Sequence, residues 1–255
     1  MGSTVCRAVA ADDALELVAA VDPSAAGTPV EGIVIESGRD HFGVARCQVV
    51  VDFTDAAAAR HSVVDLVAQG VDVVVGTTGL TDADLDALAV VAAREGAGNV
   101  VVAANFSISA VLLMRLSELA APFFDTAEII ELHHDNKVDA PSGTALVTAE
   151  RMAAASPTWA PDPTTTEVLA GARGGLGPAG IRLHSVRMRG MVAHQEVILG
   201  ARGQTLTLRQ DSYDRESFMP GVLLACKRIG EFPGLTRGLD ALLGLSSLGL
   251  DGETR

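Results

Sequence analysis

Three short apolar runs, residues 48–53, 71–75 and 100–103, are spaced so that one helix fits between each and the next. Val49, Val50 and Val51 make the first nearly continuous, and the others repeat that pattern. Unbroken β-branched runs suit strands buried on both faces, as in a parallel sheet. The stretches between them have readable ends. Asp55 opens a helix through Ala68, with Gly70 where a helix-terminating glycine belongs. Thr81 with Asp82 and Asp84 opens the next, setting carboxylates at its positive end. Upstream, residues 15–21 read as a further strand, after a helix that holds Val5, Cys6 and Val9. This β-α-β-α order predicts an α/β fold with a doubly wound sheet.

The pattern changes after Phe106. Residues 108–121 read as an apolar helix, 128–132 as a strand and 142–154 as a second helix, before a Pro/Gly/Thr-rich excursion over 156–180. Three strand-like runs then follow without helices between them, 181–188, 192–199 and 204–209. That succession predicts an antiparallel or mixed sheet, hence an α+β second domain. Residues 214–229 read as one helix kinked at Pro220. The expected division is residues 1–106 with about 214–255 in the first domain, and 107–213 in the second. A net charge of −13 argues against nucleic acid or an anionic membrane as partner. No apolar run reaches the length of a membrane-spanning helix, and the first residues lack the order of a signal peptide. Cys6, Cys47 and Cys226 lie far apart with no C-x-x-C, as expected of reduced, mostly buried thiols in a cytoplasmic protein.

The chemistry concentrates in residues 131–145, Glu-Leu-His-His-Asp-Asn-Lys-Val-Asp-Ala-Pro-Ser-Gly-Thr-Ala, on a strand end, a loop and a helix start. Imidazole titrates near neutral pH, so His133 and His134 suit proton donation and anion binding. Lys137 adds a cation. Ser142, Gly143 and Thr144 place N–H groups and hydroxyls at a helix N-terminus, a ready site for a carboxylate. Two other readings stand beside this one: a polar loop leading into a capped helix, and a metal site made from His133, His134 and Asp135. Adjacent residues on a strand point to opposite faces, which is poor geometry for one ion, so no metal is expected. Asp22 ends the 15–21 run where a Rossmann-type sheet places the acid that binds a ribose hydroxyl. It also reads as a plain turn residue before Pro23.

The 131–145 run resembles the signature of the 4-hydroxy-tetrahydrodipicolinate reductase family, also called dihydrodipicolinate reductase. The resemblance continues through Val51-Asp52-Phe53-Thr54, Gly76-Thr77-Thr78-Gly79, Ala104-Asn105-Phe106-Ser107, His184-Ser185-Val186-Arg187 and Val192-Ala193-His194, in the family's order, to about Leu243. It implies NADH or NADPH as cofactor and a small cyclic dicarboxylate as substrate, in diaminopimelate and lysine biosynthesis. It implies His133 as proton donor/acceptor, Lys137 as proton donor, His134 as substrate ligand, and Gly143 with Thr144 as the pair binding a substrate carboxylate. On the cofactor side it implies Gly76, Thr77 and Thr78 in one nucleotide loop, Ala103, Ala104, Asn105 and Phe106 beside the nicotinamide, and Asp22 as the ribose acid. A homotetramer assembled through the second domain is implied too. Arg187 is a further candidate for binding the dianion, and equally reads as a surface strand residue.

One departure bears on the fold. The family's glycine-rich phosphate loop ends in Gly-Arg-Met-Gly or a close variant, with which Met1-Gly2 align. The first strand and the glycine turn are therefore expected to be missing here, an internal methionine having been taken as the start. Two competing functions follow: a non-catalytic, truncated paralogue that binds a small dicarboxylate or assembles with a full-length subunit, and a different Rossmann-type dehydrogenase. The stretch after Asp22, Pro23-Ser24-Ala25-Ala26-Gly27, holds no cation for a 2′-phosphate, which predicts use of both cofactors with NADH at least as good as NADPH. Arg39 and Arg46 lie further along the same connection.

Overall fold

The computed structural model describes residues 1–38, 47–156 and 158–245, so Arg39 and Arg46 lie outside the described residues. Helix α1 (Gly2–Ala10) comes first, with Val5 buried. A hairpin of β1 (Pro29–Val30) and β2 (Ile33–Val34) follows. Then β3 (Val49–Asp52), α2 (Ala56–Ala68), β4 (Asp72–Val75), α3 (Asp82–Ala92) and β5 (Val100–Val102) alternate as the apolar runs predict. Helix α2 starts because the Asp55 carboxylate accepts the Ala57 and Ala58 N–H groups. It stops at Gly70, whose φ of 84° admits only a residue without a Cβ at low cost. Thr81 and Asp84 close a capping box on α3.

The second unit begins with α4 (Ile108–Ala120), β6 (Thr126–His133) and α5 (Gly143–Ala155). It is completed by β7 (Gly175–Leu176), β8 (Arg182–Arg187), β9 (Ala193–Ala201) and β10 (Gln204–Ser212). The chain then returns to the first unit with α6 (Met219–Arg228) and β11 (Leu235–Arg237).

In the first unit, the sheet order is β11-β5-β4-β3 and every pairing is parallel. Val73 and Val75 join a core with Val63, Val67, Leu88 and Val91 of α2 and α3. Val74, between them, is equally buried, and α6 packs against β3 and β4. Helices therefore cover both faces, the doubly wound arrangement. Two expectations need correction. Residues 15–21 form no strand: they join one parallel bridge, Val21 to Glu36, with Ala20 and Asp22 bonded to the Glu36 backbone. Among the described residues, no neighbouring strand is aligned to take its other N–H and C=O groups. Val18 still packs against the core. Pro220 does not kink one long helix. Residues Arg215–Phe218 form a 3-10 turn, and Pro220 sits in the first turn of α6, where its missing N–H costs nothing.

In the second unit, the sheet order is β10-β9-β6-β8-β7. Strands β6 and β8 are parallel, and the other pairings are antiparallel, a mixed sheet. Ile129, Leu183, Val197 and Leu199 pack against Ala145, Ala149 and Met152 of α5 and Leu113 of α4. The long excursion before β8 is held by charge. Arg173 and Arg182 both meet Asp162, and Arg173 and His184 share Glu128.

Candidate active site

Strand β6 alternates faces, so Glu131 shares the parity of the core residue Ile129 and points under the helices. Its carboxylate is 0% exposed. Donors from β6, β8 and the start of α5 converge on it. Oε2 receives His133 Nδ1 at 2.5 Å and Arg187 at 2.8 Å. Oε1 receives the second Arg187 nitrogen at 2.7 Å and the Ser142 N–H at 3.2 Å. Burial pushes this carboxyl up, but hydrogen bonds from His133, Arg187 and Ser185 outweigh burial and hold it down to about 2. The bidentate Arg187 is thus no surface strand residue. It also donates to the Asp139 carbonyl at 2.7 Å, which fixes the loop after β6.

Lys137 stands in that loop. Its ammonium meets both Asp139 oxygens, at 2.8 and 2.7 Å, and this bond draws the Asp139 carboxyl below its ordinary range. His134 is exposed, and its carbonyl accepts the Lys137 N–H, so the backbone turns tightly between the two. Ser142 caps α5 by accepting the Ala145 N–H. Gly143, next, is exposed with open space where a Cβ would stand. Thr144 is half-buried on the same turn. The structure therefore gathers His133, Arg187, the Lys137 loop and the α5 N-terminus about Glu131, and leaves His134 on the surface beside them. Among the described residues, no group of three or more His, Cys, Asp or Glu side chains could hold a metal ion.

In the first unit, the expected cofactor loops leave the C-terminal ends of adjacent parallel strands, where open α/β sheets bind nucleotides. Thr77 follows β4 but its side chain is buried, donating to Asp52 at 2.7 Å; only its backbone is left to offer. Asp52 also accepts the Thr54 N–H and hydroxyl, and Ser62 lies at 3.3 Å. Gly76 must be glycine: a Cβ would fall 2.1 Å from the Phe53 ring. Phe53 in turn packs against Phe106, with ring centroids 5.8 Å apart, which braces the 76–79 loop on the 103–106 loop. Ala103 and Phe106 are buried, whereas Thr78 and Ala104 are exposed and Asn105 is half-buried. Asn105 accepts the Ser107 N–H, fixing the turn. Exposed small residues on a braced backbone fit a dinucleotide laid across these loops. Asp22 is exposed and bonded by Ser24 through its N–H and hydroxyl, which lower its carboxyl; this is turn geometry.

Sequence reasoning gave no role to Glu131 or Asp52. Both were legible in principle: each is an acid at the same parity as a core residue of its strand, Val50 for Asp52 and Ile129 for Glu131.

Loops at the C-terminal ends of a parallel sheet, with acid–base residue types gathered on a separate mixed sheet, are an arrangement that suits a nicotinamide-dependent oxidoreductase. Comparison with known proteins narrows this. Residues 1–106 match the family model "Dihydrodipicolinate reductase, N-terminus" and residues 109–243 match "Dihydrodipicolinate reductase, C-terminus". The chain is 48% identical to the 4-hydroxy-tetrahydrodipicolinate reductase of Corynebacterium aurimucosum, over 96% of this chain and 95% of that one. It is 49% identical to that of Nocardia farcinica, with the same coverage. The solved dipicolinate-bound dihydrodipicolinate reductase from Paenisporosarcina sp. TG-14 superposes with a TM-score of 0.84 at 36% identity, over 94% of each chain. The chain belongs to the dihydrodipicolinate reductase family, whose members are oxidoreductases that use NADH or NADPH. This sets aside a different Rossmann-type dehydrogenase.

Proposed function

We propose that this chain reduces 4-hydroxy-tetrahydrodipicolinate to tetrahydrodipicolinate, in the cytoplasm, on the route to diaminopimelate and lysine. The supporting observation is the meeting of His133, Arg187, the Lys137 loop and the α5 N-terminus around one buried carboxylate. That the Paenisporosarcina relative binds dipicolinate, a planar dicarboxylate, agrees with a site rich in anion-binding groups. Substrate, NAD(P)H and one proton give tetrahydrodipicolinate, NAD(P)+ and water. Bound NAD(P)H supplies the hydride, and Gly76, Thr77, Thr78, Ala103, Ala104, Asn105 and Phe106 would hold it, with Asp22 at a ribose. His133 takes up and delivers the proton at Nε2 while Nδ1–H stays on Glu131, so the charged ring is the donor and the neutral ring left behind is the Nδ1–H tautomer. Lys137, steered by Asp139, is the second proton donor, and the Gly143–Thr144 turn with His134 receives the substrate carboxylates.

The same reading makes the chain a homotetramer built on the mixed sheet. Ile130, Leu132, Val186 and Ile198 alternate with the core residues of β6, β8 and β9 and are only half-buried, which leaves an apolar strip for another copy. No helix among the described residues is long and apolar enough to cross a membrane.

The test is His133→Gln and Lys137→Ala. Each should lower kcat by about 10²-fold or more, as removal of a positioned acid–base group does, while NADH affinity by fluorescence titration stays within about twofold. Near wild-type turnover in either variant removes that residue from the proton path.

A further inference from the structure

We infer that Glu131 is the positioning residue of this site: it fixes which nitrogen of His133 faces the reaction, and it ties Arg187, the Lys137 loop and the α5 N-terminus into one frame. The inference rests on the reading above, in which His133 and Lys137 handle the proton.

The Glu131 side chain is 1% exposed, so it acts through its neighbours and not on a substrate. An ionised carboxylate accepts and cannot donate, so His133 Nδ1 must carry the hydrogen in their 2.5 Å contact. Nε2 is thereby turned to the open side of the imidazole, and the tautomer is chosen by the carboxylate. The remaining acceptor positions are also taken. Arg187 fills one on each oxygen, in the fork geometry that fixes a guanidinium in plane, and the Ser142 N–H and the Ser185 hydroxyl add to the set. Through Arg187 the frame extends to the Asp139 carbonyl, and through Asp139 to the Lys137 ammonium. A single buried carboxylate thus sets groups on β6, β8, the loop and α5, which no apolar side chain of that size could do.

Glutamine at this position separates positioning from bulk. Its amide has one accepting oxygen and one donating nitrogen. With the oxygen kept at the Oε1 position, where one Arg187 nitrogen and the Ser142 N–H converge, the NH₂ replaces Oε2: it loses the second arm of the fork and opposes His133 Nδ1, which must then accept. The imidazole hydrogen moves to Nε2.

The experiment is Glu131→Gln in the full chain, read by ¹⁵N NMR of the His133 ring and by steady-state kinetics. The expected result is a wild-type Nδ1–H tautomer that becomes Nε2–H in E131Q, with kcat lower by about 50-fold or more and the NADH KM within about twofold. In a His133→Gln background, E131Q should cost only a few-fold more, since its largest effect passes through His133. An unchanged tautomer overturns the inference, whatever the rate. A changed tautomer with unchanged kcat also overturns it, provided His133→Gln is itself inactive. If His133→Gln retains turnover, the proton-path reading has failed and the tautomer result alone judges the frame. Should E131Q not fold, E131Q/R187M removes the stranded charge as well and is read in the same two ways.

Discussion

Asp52 in the first unit and Glu131 in the second are both buried carboxylates near the end of a strand, and the two are satisfied in opposite ways. Asp52, closing β3, is 6% exposed and is held by a backbone N–H and by threonine hydroxyls, all neutral donors. Glu131, near the end of β6, is held by a guanidinium fork, an imidazole and one N–H. The first arrangement needs only an acceptor. It orients the backbone of Thr77 and the 76–79 loop, and any group with enough lone pairs would serve. The second needs a charge, because its partners carry charges and protons of their own. A loop braced by its backbone can be built from neutral hydrogen bonds, whereas a cluster that gathers an arginine and a histidine binds them with an anion.

Arg187→Met is the strongest way to break this comparison. It leaves the Glu131 charge buried without its cation, which typically costs about 3–5 kcal/mol. Urea unfolding at neutral pH should show a loss of that order, and a loss under about 1 kcal/mol would mean the pair is not a charge clamp. The pH dependence has a definite sign. The folded-state pKa of Glu131, about 2, lies below the unfolded value of roughly 4.3. Its contribution to stability is therefore fully present above the unfolded value and is lost as pH falls toward 2. Removing Arg187 removes much of that depression, so the gap between wild type and variant should narrow between about pH 5 and pH 3.

Most of the architecture could be read from the chain because its signals are local. The helix from Asp55 and the capping box at Thr81 follow from side chains within three residues of the helix start. The strands of the parallel sheet follow from unbroken valine runs. The failures came where the deciding partner is remote. Residues 15–21 are a mostly apolar run of strand length, yet a strand exists only through its neighbour's backbone, which sequence does not display. Strand β11, at residues 235–237, is three residues long and gains its place by pairing with β5, so no pattern announced it. In the site, His133 and Lys137 stood out as chemistry-bearing types in a loop. Glu131 looked like one more charge in the same run, and only the pairing of β6 with β8 brings Arg187 to it, 56 positions away.

Asp52→Asn sharpens the contrast from the other side. Its carbonyl can take the Oδ1 position, where three of the four contacts converge, and its NH₂ can face the Ser62 hydroxyl, which is able to accept. The expected loss is about 1 kcal/mol or less, with the NADH KM raised by at most about threefold. A loss as large as that of Arg187→Met would show that the Asp52 clamp depends on charge after all, and the distinction between the two sites would collapse.

Ser62→Ala probes the weakest contact in the neutral clamp. The Ser62 hydroxyl lies 3.3 Å from Asp52 but 2.9 Å from the Ala58 carbonyl, one helical turn back. A hydroxyl has a single hydrogen, and the shorter contact takes it. The Asp52 contact is then an approach between two oxygens with no hydrogen between them, and deleting the hydroxyl removes little. Alanine also suits the interior of α2 better than serine, by about 0.5 kcal/mol, which offsets what is lost. Thermal unfolding should place Ser62→Ala within about 0.5 kcal/mol of wild type, and NADH binding should not change. A loss above about 1.5 kcal/mol would put the hydrogen on the Asp52 side instead. The clamp would then hold both carboxylate oxygens, and Asp52→Asn, whose NH₂ must meet that same hydroxyl, would have to be costlier than its three retained contacts suggest.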